Sequence, residues 1–204
     1  MTTTQFPLRQ KRKAESRGSL IRSAQRLFAD QGYNETTLEQ IAEHAGLHVQ
    51  TLYRHFANKQ ELATAGDQDL LASFRLAIRA ADRSDTTFEF WRAWVGVTVG
   101  KITQADGGRQ FRKFLIQRWT PAMVSSKLIQ IGHEYEDLLA ESLAKDFDET
   151  DKTLDSPRLA AITLWGTHSH LQRLLATRPE FDLVSESMTA LDSIEALFGH
   201  LIKR

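Results

Sequence analysis

The residues between His48 and Lys59 offer one kind of chemistry: hydrogen bonding to a polyanion with flat, donor-and-acceptor edges. Leu52 and Phe56 stand four apart and share one face of a helix, which turns Val49, Gln50, Tyr53 and Arg54 to the other side. An amide can pair with adenine, a guanidinium with guanine or a phosphate, and a small apolar residue can meet a thymine methyl. Thr37, at the start of an upstream helix, is placed for a phosphate, because free backbone N–H groups and the helix dipole favour an anion there. Lys59 opens the following helix and can hold a sugar–phosphate backbone on the other flank. An exposed Gln or Arg is also commonly just solvated. Tyr53 could equally pack at the rim of a small core, and His55 could be a hydrogen-bond donor at its edge.

Short helices have to hold these side chains. The periodicity predicts a first helix over 16–30, with Leu20, Ala24, Leu27 and Phe28 as its apolar stripe and Gly32 closing it. Thr36-Thr37 caps a second helix that turns Leu38, Ile41, Ala42 and Ala45 inward, and Glu39 or Gln40 completes a capping box. Gly46 supplies a turn. A third helix over 48–56 buries Leu47, Leu52 and Phe56. Asn58 caps a long fourth helix carrying Leu62, Leu70, Phe74 and Ile78. Two short helices joined by a glycine turn can cross steeply, as in a helix-turn-helix.

The stretch from Thr36 to Leu62 resembles the DNA-binding domain of the TetR family of repressors. The resemblance is carried by Phe28 through Gly32-Tyr33, Thr36-Thr37, Ile41-Ala42, Ala45-Gly46, the run Thr51-Leu-Tyr-Arg-His-Phe56, then Asn58-Lys59 and Glu61-Leu62. It extends over roughly residues 16–70. It implies that Tyr53, His55 and Lys59 contact phosphates and that Val49, Gln50, Thr51 and Arg54 face bases. His48 departs from the Ser or other small cap common in the family, and is counted with the DNA-facing set. The resemblance also implies an all-α fold: an N-terminal arm and helix-turn-helix domain over 1–58, and a helical domain over 59–204 that dimerises and binds a small molecule.

Charge distribution agrees with a nucleic-acid partner better than the net charge of zero does. Arg9, Lys11, Arg12, Lys13, Arg17, Arg22 and Arg26 precede position 27 with Glu15 alone against them, whereas from Glu61 onward 17 Lys+Arg face 21 Asp+Glu. Phosphates respond to the local field within a Debye length of about 8 Å. The basic segment is either a solvated tail or, through residues such as Arg17, a DNA contact. Cysteine is absent, which removes disulfides and thiolate-ligated metals. Neither a secretory leader nor an apolar run of bilayer length is visible, so a cytoplasmic protein without membrane contact is expected.

Beyond Ser84-Asp85 the sequence stays helical. One helix carries Trp91, Trp94, Val95 and Ile102 and breaks at Gly107-Gly108. Another carries Phe111, Phe114 and Leu115 and stops before Pro121. A longer one holds Leu128, Ile131, Tyr135, Leu138 and Leu143. The polar stretch 146–156 reads as a loop, Pro157 opens a helix running to about Thr177, and a last helix spans 183–202.

Trp91, Trp94, Phe111, Phe114, Trp119, Tyr135 and Trp165 are either core or the wall of an apolar ligand cavity. His168, His170, Gln117 and Arg118 are candidate polar handles for such a ligand, which would be hydrophobic or aromatic. The resemblance points to the last two helices as a dimer interface. Leu159, Ile162, Gly166 and Ser169 would meet Val184, Met188, Leu191 and Phe198, unless these simply bury within one subunit. Two heads ~34–36 Å apart would bind a pseudo-palindromic operator.

No Gly-rich phosphate loop, nucleophile elbow or zincin motif suggests an enzyme, and the sequence predicts neither catalytic residues, cofactor nor metal. The rings of His168 and His170 point about 200° apart on a helix, and His133 with Asp137 reads as a surface pair. The reading is a repressor released from its operator by an effector. A ligand-responsive activator, and a helical enzyme or scaffold without DNA binding, are the alternatives.

Overall fold

The computed structural model describes residues 5–104, 108–120, 123, 125–148 and 155–203, and all the regular elements among them are helical. α1 (Gln5–Gln31), α2 (Leu38–His44), α3 (Val49–His55) and the start of α4 (Lys59–Ile78) make the head. α5 (Thr87–Gln104), α6 (Arg109–Arg118), α7 (Ser126–Asp146), α8 (Ser156–Thr177) and α9 (Leu183–Phe198) make the body with the rest of α4, and a single turn of 3₁₀ helix follows over Gly199–Leu201.

The first helix is longer than the periodicity indicates, beginning at Gln5 rather than Ser16. The apolar stripe starts only near Leu20, so a pattern-based reading stops there. The preceding Arg, Lys, Gln, Ala and Glu residues are strong helix formers that extend a helix already nucleated by its packed half. The basic residues from Arg9 to Arg26 therefore stand on a helix and not on a loose tail.

The turn that aims α3 closes as a Schellman motif. Leu47 N–H donates to Ala42 O at 2.9 Å, and Gly46 N–H donates to Glu43 O at 2.9 Å. Gly46 takes φ +68°. At the start of α2 the capping box is made by Thr37 and Gln40: Thr37 accepts from the Gln40 N–H, and Gln40 accepts from the Thr37 N–H. Asn58 caps α4 through the Glu61 N–H, and Pro157 occupies the first turn of α8.

Two apolar clusters result. The head cluster buries Leu20, Ala24, Phe28, Ile41, Leu52 and Phe56, and takes Leu62, Ala63 and Ala65 from α4 and Phe114 from α6. The body cluster centres on Phe74, whose ring lies 4.8–5.7 Å from those of Tyr135, Trp94, Trp91 and Phe90. On α4 it is Leu71, with Phe74 and Ile78, that enters this core, while Leu70 is 40% exposed. One residue moves a side chain by about 100° around a helix, and the helix is rotated so that Leu70 faces a cavity.

Several predicted boundaries shift. Asp146 still belongs to α7, and Phe147 forms an antiparallel bridge with Ile202, so the segment is tied down before residue 149. α9 ends at Phe198 and tightens into the 3₁₀ turn. Gly108 caps α6 at φ +76°, whereas Gly107, Pro121 and residues 149–154 of the expected breaks lie outside the described residues. Of the expected interface positions, Leu191 is buried in the body core and Met188 and Phe198 pack against it, because the inner face of α9 rests on α5 and α8. Ser169 lines the cavity. Leu159, Ile162 and Val184 stay on the outside, joined by Leu197.

A Cβ at Gly46 would meet nothing within 4 Å, so a substitution there tests backbone conformation alone. Gly46→Ala should lower stability by about 1–2 kcal/mol and Gly46→Asn by less, read as a shift of the urea midpoint.

Candidate nucleic-acid interface and ligand cavity

α3 is amphipathic in the way its spacing requires. Leu52 is fully buried, and Phe56 just beyond the helix is nearly so, while Gln50, Tyr53 and Arg54 are exposed and Val49 and Thr51 are half-buried beside them. Arg54 donates to Thr51 Oγ1 at 3.1 Å, and Tyr53 OH reaches Glu39 at 3.4 Å, so both hydrophilic groups remain at the surface. Thr37 is exposed at the N-cap of α2, and His48 is exposed at the N-cap of α3 without a side-chain cap bond.

Two of the predicted DNA-facing cations are engaged within the fold. Arg17 pairs with Asp69 of α4 and lies 5.4 Å from the centroid of the Phe56 ring. Lys59 donates to the carbonyls of Tyr33 at 2.8 Å and Thr36 at 2.9 Å, with its ammonium 4.4 Å from the Tyr33 ring centroid. They tie α4 to α1 and to the turn before α2. His55 is half-buried next to Phe56. Its pKa is lowered by burial first, and then by the charges of Lys13, Arg54 and Arg17. That set of cations marks a positive field which α1, by extending to Gln5, brings to the end of α3.

A second feature lies in the body. A cavity of about 1010 Å³ opens between α1, α4, α5, α6, α7 and α8. All eight residues predicted for a pocket line it: Trp91, Trp94, Phe111, Phe114, Trp119, Tyr135, Trp165 and His168. The chain's four tryptophans are among them. Tyr135 and Trp165 stack at 4.2 Å and 7°. A Cβ at Gly132 would stand 2.9 Å from Trp165 Nε1, so the bare glycine is what lets that indole lie against α7.

The cavity's polar groups come from both sides. Arg118 of α6 pairs with Asp67 of α4 at 2.5 Å, and both side chains are largely buried. Burial pushes the Tyr135 hydroxyl pKa up, helped by the Asp67 charge and opposed by Arg118. Gln172 lies 2.8 Å from His168 Nε2. Arg118 Nε, Trp119 Nε1 and His168 Nδ1 are buried without a hydrogen-bond partner among the described residues. Unmet buried donors of this kind each cost about 1–3 kcal/mol.

The other predicted handles turn elsewhere. Gln117, next to Arg118 on α6, accepts from the Tyr33 N–H at 3.4 Å, and His170 is exposed on the far side of α8. Asp137, read beside His133, is held by Arg158 at 2.6 Å. The sequence reading missed Leu70, Asp67 and the rim cations Arg22, Arg26, Lys101 and Arg173. Their only signal was a charge or an apolar group at an otherwise ordinary helical position.

Residues 20–65 match the sequence pattern described as "Bacterial regulatory proteins, tetR family". The HTH-type transcriptional regulator TcmR of Streptomyces glaucescens is 31% identical over 199 residues, covering 92% of this chain and 86% of that protein. The chain belongs to the tetR family of bacterial regulatory proteins.

It is accordingly a helix-turn-helix transcriptional regulator. The repressor KstR2 of Mycobacterium tuberculosis shares 38% identity over 73 residues, covering 35% of this chain and 34% of KstR2. Among solved structures, a complex of SmeT with triclosan superposes with a TM-score of 0.71 at 22% identity, over 92% of each chain. SmeT is described as the repressor of the Stenotrophomonas maltophilia multidrug efflux pump SmeDEF. This last likeness establishes the fold. Among the described residues no helix of the regulator is long and apolar enough to cross a membrane.

The cavity has a titration signature. His168 is held down to about 4 from the ordinary 6.5, by burial first and then by the Arg118 charge, with Trp91 and Trp165 packed about the ring. The folded pKa is the lower one, so between pH 6.5 and 4 the unfolded chain binds the extra proton and stability falls as pH falls. At pH 5 this single group costs about 2 kcal/mol relative to pH 7.5. Urea titrations at the two pH values should show a smaller difference in His168→Gln than in the wild type; equal differences would clear this ring of the effect.

Proposed function

We propose that the regulator is a cytoplasmic homodimer that represses transcription from a pseudo-palindromic operator and is released by a small aromatic effector held in the body cavity. The observation that carries the reading is the free polar side of α3, where Gln50, Tyr53 and Arg54 face solvent over a fully buried Leu52. In this reading Val49, Gln50, Thr51 and Arg54 meet base edges, and Thr37, His48, Tyr53 and His55 lie along the phosphates. Arg17 and Lys59 act mainly by holding the head together, since their charges already have partners.

Residues 1–58 serve as the head and 59–204 as the regulatory body, with the first turns of α4 lending Leu62, Ala63 and Ala65 to the head's core. Dimerisation through the outer faces of α8 and α9 is supported by exposed Leu159, Ile162, Val184 and Leu197, and by the open space over Gly166. Effector control is supported by the route from cavity to head. Phe114 of α6 lines the cavity and is buried in the head cluster, Lys113 pairs with Asp30 at 3.3 Å, and Gln117 holds the turn after α1. A ligand preferring another setting of α6 and α4 shifts the head spacing by its differential affinity, ~1–3 kcal/mol in typical couplings.

Selection from random duplexes followed by gel-shift titration tests the DNA side. Arg54→Ala should weaken the selected site about 10–100-fold without changing the melting temperature. The logarithm of the affinity should fall with log salt by about 0.9 per phosphate contacted. Full retention of affinity in a Gln50→Ala/Arg54→Ala double variant would instead mean association through the basic face of α1 alone.

A further inference from the structure

We propose that the effector is a planar aromatic anion whose carboxylate or phenolate oxygen takes the Arg118 guanidinium away from Asp67. The inference rests on the cavity being the effector site, and adds the chemistry it selects.

Three observations converge. The first is the kind of hydrogen bond left unmade. Arg118 Nε and Trp119 Nε1 can only donate. Gln172 donates to His168 Nε2, which assigns the proton of the neutral ring to Nδ1, so the third unmet group is also a donor. Buried groups of this kind are almost always satisfied. All three belong to residues that line the cavity but are covered by protein, so an acceptor-rich occupant would meet them only as those side chains turn toward it.

The second is charge. Arg22, Arg26, Lys101 and Arg173 stand exposed around the mouth, against Asp67 and Glu136 as the lining carboxylates. Among the described residues, Arg22, Lys101 and Arg173 have no ion pair to a carboxylate. A rim of unneutralised cations draws an anion toward the cavity. His168 stays neutral, so the charge waiting inside is that of Arg118.

The third is shape. The wall offers the face-to-face pair Tyr135–Trp165, and Trp119 lies with its ring centroid 5.1 Å from the Arg173 guanidinium and 5.8 Å from that of Arg118. Flat rings bearing an acid stack on such walls and meet a guanidinium at the edge. Asp67 is the group displaced, and it sits on α4, the helix that continues into the head. An anion arriving at Arg118 therefore undoes an α4–α6 tie.

The test uses anthraquinone-2-carboxylate, its methyl ester and decanoate as probes on the whole 204-residue chain. Equilibrium dialysis gives affinities, and quenching of tryptophan emission reports the site, because all four tryptophans line it. The acid is expected to bind about tenfold or more tighter than both the ester and decanoate. Arg118→Gln should abolish the preference for acid over ester. Asp67→Asn, which frees Arg118, should keep or increase it. A merely structural ion pair would instead make the two variants behave alike.

Equal affinity for acid and ester in the wild type, decanoate binding as tightly as the aromatic acid, or a preference that survives Arg118→Gln would overturn the proposal. The acid should also release the selected duplex, more weakly in Arg118→Gln. Tight acid binding without release would sink the effector-release reading and leave the ligand chemistry standing. Intact DNA binding with no preference for the acid would do the reverse.

Discussion

The structure depends on α6 being shared by two cores. Phe114 is 6% exposed and packed among the head residues, whereas Arg118 and Trp119, about one turn later, face the cavity of the body. Leu115 of the same helix is fully buried in the body core, so a shift of α6 on the cavity side is felt at Phe114 in the head. Lys113 to Asp30 and Gln117 to the Tyr33 N–H add polar fixings between the same two bodies. With α4 running continuously from Lys59 to Ile78, the head is joined to the body at two places rather than one.

Around this joint the charges are distributed with a purpose that net charge conceals. Cations on α1 serve different ends. Arg17 is consumed in packing the head, Lys13 adds to the field at His55, and Arg22 and Arg26 stand on the cavity rim. The α3 face that meets solvent is left with hydrogen-bonding groups whose internal partners are weak and exposed. Such groups are easily exchanged for other partners, whereas the largely buried Arg118–Asp67 pair is costly to break on one side alone.

The cavity follows from packing five body helices around large rings. Phe74 anchors one side of the aromatic cluster, and the Tyr135–Trp165 stack the other. The space left over is lined by all four indoles and by guanidinium groups, and Trp119 brings the two kinds together, 5.1 Å from Arg173 and 5.8 Å from Arg118. His168 is penalised for charge in that setting, by burial first and by the Arg118 guanidinium second.

Most of the head was legible in the residue string, because its signals are local. Leu52 and Phe56 at helical spacing, Thr37 with Gln40 three positions on, Gly46 in a left-handed turn and Asn58 before Lys59 each act within one or two turns of chain. The aromatics of the body were visible as a concentration of rings, and tertiary packing then decided that all eight predicted residues share one cavity. What could not be read was orientation between distant elements. Nothing local distinguishes Leu70 from Leu71, Arg118 from Gln117, or Leu191 from Leu197. Which member of each pair faces a cavity, a neighbour or solvent depends on how a whole helix is rotated by its partners. The pairings of Arg17 with Asp69 and of Arg118 with Asp67 lie more than fifty positions apart, and only the folded chain brings those charges within reach of each other. Short-range periodicity and capping thus determined the elements and the face offered by α3. The cavity's donors, its cationic mouth and the double joint to the head were decided by long-range packing, which no local spacing encodes.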